Sequence, residues 1–169
     1  MYRGFYFNSN DETAKSKYLD KIGELTKTLS DLQNMYDSSI EFLFNIEDAG
    51  YTFPQTIATG TNAITMYCQD SWGNIVHEMR HGGQIARGEY GFIQNGVEYS
   101  PDNRYGLSHE IDAYRAQYAV EFIFKVNTII GFQLEITNIN QITPFLIMLI
   151  SDEFGNSLYG RYPIEWQKR

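Results

Sequence analysis

His77-Glu78-Met79-Arg80-His81 lies inside Ser71–Arg87, a stretch whose apolar spacing predicts a helix. Four residues along a helix make slightly more than one turn. The two imidazoles therefore leave one face with neighbouring Cβ atoms, as two ligands of one tetrahedral zinc must. Glu78 is turned about 100° from His77 and can reach a metal-bound water without being a ligand. Trp72, Ile75, Val76 and Met79 recur at i, i+3, i+4 and i+7, giving the same helix an apolar back. The histidines point nearly opposite that stripe, which suits a helix that crosses a domain and lines a cleft. A solvated helix face with two ordinary histidines would show the same five residues, so the neighbouring sequence has to decide.

Ser108-His109-Glu110-Ile111-Asp112-Ala113-Tyr114-Arg115-Ala116-Gln117 opens a second predicted helix. Glu110, Ala113, Tyr114 and Gln117 share one face of it. Ala113 is small enough to let another helix approach. A third zinc ligand from this helix would leave the fourth position open for water, as a catalytic zinc requires. Glu110 also suits a simpler role, a carboxylate in the first turn after a Ser108 N-cap. The three histidines of the chain, His77, His81 and His109, all fall in these two segments.

With both segments in view, the sequence resembles a gluzincin-type zinc metallopeptidase. That family carries H-E-x-x-H on one helix and a glutamate motif such as E-x-x-A on a following one. Here the motifs are His77-Glu78-Met79-Arg80-His81 and Glu110-Ile111-Asp112-Ala113. The resemblance spans roughly Ala63 to Gln117. It implies a zinc ion held by His77, His81 and Glu110, with Glu78 as the general base that activates the zinc water for peptide-bond hydrolysis. It further implies a zincin-like α+β fold, with a small sheet, a central H-E-x-x-H helix, a long N-terminal helix and the glutamate-bearing helix. The chain departs from the pattern at Tyr114, where many relatives place an Asp or Asn that orients a ligand imidazole. Asp112 can take that orienting role. Asp112 and His109 also stay open as alternatives to Glu110 for the third ligand. Asp112 lies about 200° around the helix from Glu110, so the two cannot both face the metal. The donor that stabilises the oxyanion is read as Tyr114, His109, or a tail tyrosine such as Tyr159 or Tyr162. Arg80 faces away from the imidazoles and is read as an ion-pair former. Gln84 lines the same cleft or caps the helix end. Gly82-Gly83 predicts that the helix ends or loosens there, or lets the second helix approach.

At 169 residues the chain is expected to form one domain, spanning 1–169, with a sizeable core. Its 43% apolar and 20% charged content is ordinary for a globular protein. A net charge of −8 argues against nucleic acid or an anionic membrane as the main partner, because phosphate binding needs a basic surface. The metallopeptidase resemblance implies a peptide or protein substrate instead. Cys68 is the one cysteine, so no internal disulfide supports the fold. It reads as a small buried apolar residue. No signal-peptide pattern or eighteen-residue apolar run is present, so a soluble chain is expected, its compartment and oligomeric state left open.

Ser9-Asn10-Asp11-Glu12 matches a capping box and opens a long helix to about Tyr36. Tyr18, Ile22, Leu25, Leu29, Leu32 and Tyr36 mark a face predicted to pack on the sheet, with a dimer seam as the lesser alternative. Strands are expected at Tyr2–Phe7, Ile40–Ile46 and Ala63–Cys68, with Ala49–Asn62 as a loop. In the resembled family a strand placed like Ala63–Cys68 borders the cleft and pairs with substrate by its edge. Asn95-Gly96 signals a hairpin between Phe92–Gln94 and Val97–Tyr99 that can hang over the cleft as a flap. The second motif helix is predicted from Ser108 to about Asn127. Pro144 suits the first turn of a short buried helix, and Ser151–Arg169 reads as irregular. Two other readings stand beside the peptidase. One is a non-catalytic binding domain on the same scaffold. The other is a toxin- or effector-like C-terminal module of a larger protein.

Overall fold

The computed structural model describes residues 12–46, 55–60, 62–90, 93–94, 97–98, 106–121, 123–151 and 158. Ser9 of the capping box, Tyr2–Phe7, Tyr159, Tyr162 and most of the predicted tail lie outside them. Helix α1 (Glu12–Asp37) leads into strand β1 (Glu41–Asn45). Strands β2 (Gln55–Gly60) and β3 (Ala63–Tyr67) follow, then helix α2 (Trp72–Ala86). A two-strand hairpin, β4 (Ile93–Gln94) and β5 (Val97–Glu98), separates α2 from helix α3 (Leu107–Val120). Strands β6 (Phe124–Asn127) and β7 (Gln133–Ile136) and the short helix α4 (Pro144–Leu149) complete the described elements. The architecture is mixed α and β, as expected.

The main sheet has the order β1-β3-β2. β3 is central, parallel to β1 and antiparallel to β2, with Phe42 opposite Ile64 and Thr56 opposite Met66. Ile64 and Met66 are fully buried, as their alternation predicts. Two expectations change here. Gln55–Gly60 is a strand and not part of a loop: Pro54 and Gly60 read as turn punctuation, yet the β-branched Thr56 and Ile57 pair with Met66 and Thr65 of β3, and Thr59 sits at a bulge. And β3 cannot offer an edge to substrate, because both its sides are already hydrogen-bonded.

α1 lies against α2 and α3 in the opposite orientation to the one expected. Glu24, Thr28, Asp31 and Met35 are buried, whereas Ile22, Leu29 and Tyr36 face solvent. The reason is a cation: Arg80, 1% exposed at the middle of α2, needs carboxylates around it, and α1 supplies them. Lys21 also fastens α1 to α3, donating to the carbonyls of Tyr118 and Glu121 at 2.9 and 2.8 Å. These are terminal carbonyls of α3 with no partner inside their own helix.

α2 begins at the Ser71 N-cap, whose Oγ accepts from the Asn74 amide at 3.1 Å. It continues through Gly82-Gly83 to Ala86, so the glycines neither end nor loosen it. They admit α1 and not the second motif helix: a Cβ on Gly83 would fall 2.5 Å from the Asp31 Cβ, and one on Gly82 would fall 2.5 Å from the Met35 Sδ. Of the predicted apolar back, Val76 and Met79 are buried and Ile75 partly so, but Trp72 is exposed in the first turn.

α3 starts one residue before Ser108, capped by Gly106, and stops at Val120. The predicted continuation to Asn127 is a strand, in which Phe124 and Val126 turn inward and Lys125 and Asn127 outward. That two-residue alternation outweighs helical propensity once β7 is there to pair. Behind α3, Leu107, Tyr114, Tyr118, Phe124 and Ile147 form the largest apolar cluster. The predicted hairpin pairs Ile93 with Glu98 and Gln94 with Val97. α4 has Pro144 in its first turn and a Thr143 cap, as expected. Among the described residues no helix is long and apolar enough to cross a membrane.

Candidate metal centre

α2 is buried from Val76 to Ile85, with the sheet, α1 and α3 each covering part of it. The face toward α3 carries His77 and His81. One helical turn brings their Nε2 atoms to 3.2 Å of each other. Glu110 projects from the first turn of α3 between them. Its Oε2 lies 3.4 Å from His77 Nε2, and its Oε1 lies 3.7 Å from His81 Nε2. Ala113, with no exposed surface, lets α3 come this near. Donors about 2.0–2.2 Å from one tetrahedral ion stand about 3.3–3.6 Å apart; the two imidazole nitrogens are near that spacing, and each has its own Glu110 oxygen at a similar distance. His77, His81 and Glu110 thus form a group that can hold a metal ion. Two imidazoles and one carboxylate suit zinc and several neighbouring divalent metals, so the donor set alone does not select among them.

The two alternatives for a third ligand are placed elsewhere. Asp112 points to Arg80, with Oδ1 2.8 Å from Nη1. His109 turns back on its own helix start, where Nδ1 accepts from the Gly106 amide at 3.0 Å, and its ring stands edge-on to Tyr90. Burial lowers the pKa of His109.

Gln84 ties the site to this surrounding network. Its amide nitrogen donates to the His109 carbonyl at 3.2 Å and to Asp112 Oδ2 at 3.5 Å. The amide oxygen is left facing His81 Nδ1 at 2.9 Å. That nitrogen must be the donor, so in the neutral ring the Nε2 lone pair points at the cluster. Asp112 thus touches the His81 ring only through Gln84. Tyr114 packs against the other ring: it stands T-shaped to His77 at a centroid distance of 4.6 Å and an angle of 80°. His77 Nδ1 has no hydrogen-bond partner among the described residues.

Charge balance in the site is strained in one direction only. Burial works against a charge on His81, but the Glu110 carboxylate, with Glu78 and Gln84 helping, pushes its pKa up to about 9. Burial likewise opposes a charge on Glu110, yet the two imidazoles hold its carboxyl far below the usual range. The Glu110 carboxylate and the His81 ring facing it thus favour each other's charged form.

Glu78 is 3% exposed and faces the sheet side of α2. Its Oε2 accepts from Thr56 Oγ1 of β2 at 2.6 Å. Sequence reasoning missed Thr56, because its strand reads as loop. It also missed Glu24 and Asp31 as partners of Arg80. Arg80 is the ion-pair former it was read to be: Nε lies 2.6 Å from Asp31 Oδ2, and Nη2 lies 3.3 Å from Glu24 Oε2. Asp31 also meets Arg87. A buried arginine inside a core helix was the available signal that acidic residues must surround it.

The chain matches no protein-family model, no curated protein and no solved structure. The case for the site rests on its own residues.

Proposed function

We propose that the chain is a zinc-dependent peptidase domain of gluzincin type, with His77, His81 and Glu110 as the metal ligands and Glu78 as the general base. What supports the reading is the convergence of two imidazole nitrogens and the Glu110 carboxylate from two helices, with contacts of 3.2–3.7 Å, and a buried carboxylate at the position next to the first histidine. Zinc bound there supplies Lewis acidity, which acidifies water and polarises a substrate carbonyl. His77, His81 and Glu110 would hold the ion and, as three protein donors, would leave it accessible to water. Glu78 takes a proton from the attacking water and passes it to the leaving amine. Thr56 keeps the Glu78 carboxylate in one rotamer while it does so. Tyr114 holds the His77 ring and is the candidate donor to the developing oxyanion. Burial of all these groups strengthens each electrostatic interaction among them.

A second reading is a metal-holding interaction domain without turnover. The burial of Glu78, His81 and Glu110, each at 5% exposure or less, favours it. One experiment separates the two. Metal content of the purified chain is measured first, and a broad peptide library is then incubated with and without a chelator. One zinc per chain and chelator-sensitive cleavage support the peptidase. One zinc without cleavage supports the interaction domain, and absence of any bound metal removes both.

A further inference from the structure

The apolar side of α1 that stays exposed among the described residues is built for a helix. Tyr18, Ile22, Leu25, Leu29, Leu32 and Tyr36 are spaced 4, 3, 4, 3, 4. This repeat of 3.5 keeps a seam pointed at a neighbouring helix, whereas packing on a sheet or loop does not require it. All six side chains are exposed, from 38% at Leu32 to 86% at Tyr36, and Leu19 beside them is 59% exposed. In heptad terms Ile22, Leu29 and Tyr36 occupy a, and Tyr18, Leu25 and Leu32 occupy d. The flanking e positions are Leu19, Thr26 and Gln33, none of them charged.

We propose that this chain pairs with a second copy of itself through α1, the two helices running antiparallel about a twofold axis level with Lys27. The seam is self-complementary in that direction. Leu25 meets Leu29 of the partner subunit, Ile22 meets Leu32 of the partner subunit, and Tyr18 meets Tyr36 of the partner subunit. An isologous interface requires this reciprocity. Charge selects the same orientation. Lys15 continues the a positions toward the N-terminus, and in the antiparallel pair it faces the C-terminal end of the opposing helix, where Asp37 lies. In a parallel pair two copies of Lys15 would face each other. A chain of net charge −8 can associate here because the seam itself carries no acidic residue.

The contact has room to widen. Beside the C-terminal half of α1 an open groove of about 660 Å³ is lined by Leu29, Leu32, Gln33, Tyr36, Phe42 and Phe44. Leu19 of the partner subunit, an e residue like Gln33, arrives at this groove. Covering the seam and the groove removes on the order of 800 Å² per copy, the scale of a stable interface. Left in water, a continuous apolar stripe of this length would be an aggregation hazard. The pairing does not depend on the metal centre, which lies on the far side of α2 from α1.

Light scattering during size exclusion, at tens of micromolar chain, tests the proposal. The expected mass is twice that of the chain. Leu29→Glu, and separately Ile22→Glu, should weaken the dimer at least about 100-fold, because each places two charges in the seam. Far-UV circular dichroism checks that these surface variants fold. Orientation is read by mixing Tyr18→Cys with Tyr36→Cys under mild oxidation, which should give mixed disulfides in preference to either self-pair. A monomeric wild type overturns the proposal. So does a dimer that both glutamate variants leave intact, or self-pairing of Tyr36→Cys without mixed product.

Discussion

Gln84 Oε1 lies 2.9 Å from His81 Nδ1, and the same amide reaches Asp112 and the His109 carbonyl through its nitrogen. The contact decides which nitrogen of His81 carries its proton, and so which one can donate a lone pair to a cation. Gln84→Met keeps the side-chain volume and removes all three contacts. Metal affinity should fall about 10–100-fold, read by chelator competition, with helix content unchanged. Unchanged affinity would show that packing alone orients the ring.

The role we propose for Glu78 is proton transfer and not metal binding. Glu78→Gln should retain stoichiometric metal and lower peptide turnover by roughly 10²–10⁴-fold. Tyr114→Phe should lower turnover without changing metal content. If the Glu78 variant comes off purification empty, Glu78 is a ligand and the role assignment is wrong.

Loading the site should release a proton. In the metal-free protein the His81 pKa is raised to about 9, well above its ordinary value near 6.5. The sign follows from that direction. Stability from the His81–Glu110 pair is complete below about 6.5 and is lost as pH rises through about 9. Metal binding at pH 7 must displace the His81 proton, so apparent affinity should climb about tenfold per pH unit up to about 9 and then level off. Titrations in metal buffers across this interval check it, and a flat profile from 6.5 to 9 would contradict the protonated ring.

Arg80 holds Glu24, Asp31 and Asp112 together inside the molecule. Burial alone would raise the Asp112 pKa, but the guanidinium outweighs it and keeps the carboxyl below the ordinary range. Arg80→Met strands these carboxylates and should cost about 3–5 kcal/mol in urea unfolding. Arg80→Lys should recover little of this, since one ammonium cannot replace a fork that reaches three carboxylates.

Cys68 is buried against α2, and burial, helped by the nearby Glu78 charge, pushes its thiol pKa up to about 12. The native thiol should resist iodoacetamide at pH 8 and react within minutes in denaturant. Fast native labelling would mean that the β3–α2 junction opens readily.

Sequence alone determined the chemistry-bearing turn of α2, because a fixed i, i+4 spacing puts two imidazoles on one face whatever surrounds the helix. It also marked Glu110, Arg80 as an ion-pair former, the Asn95-Gly96 hairpin and the Pro144 helix start, all of which follow from local geometry. It could not determine which of Glu110, Asp112 and His109 meets the imidazoles. That depends on how α3 is rotated against α2, which Ala113 and the pull of Arg80 on Asp112 decide together. The orientation of α1 was equally beyond it. An apolar stripe is ordinarily turned inward, but here a buried arginine and the gap above Gly82 and Gly83 claimed the acidic face instead. Thr56 became legible only when β2 paired with β3, since a short strand between turn residues has no signal until its hydrogen-bond partner is in place.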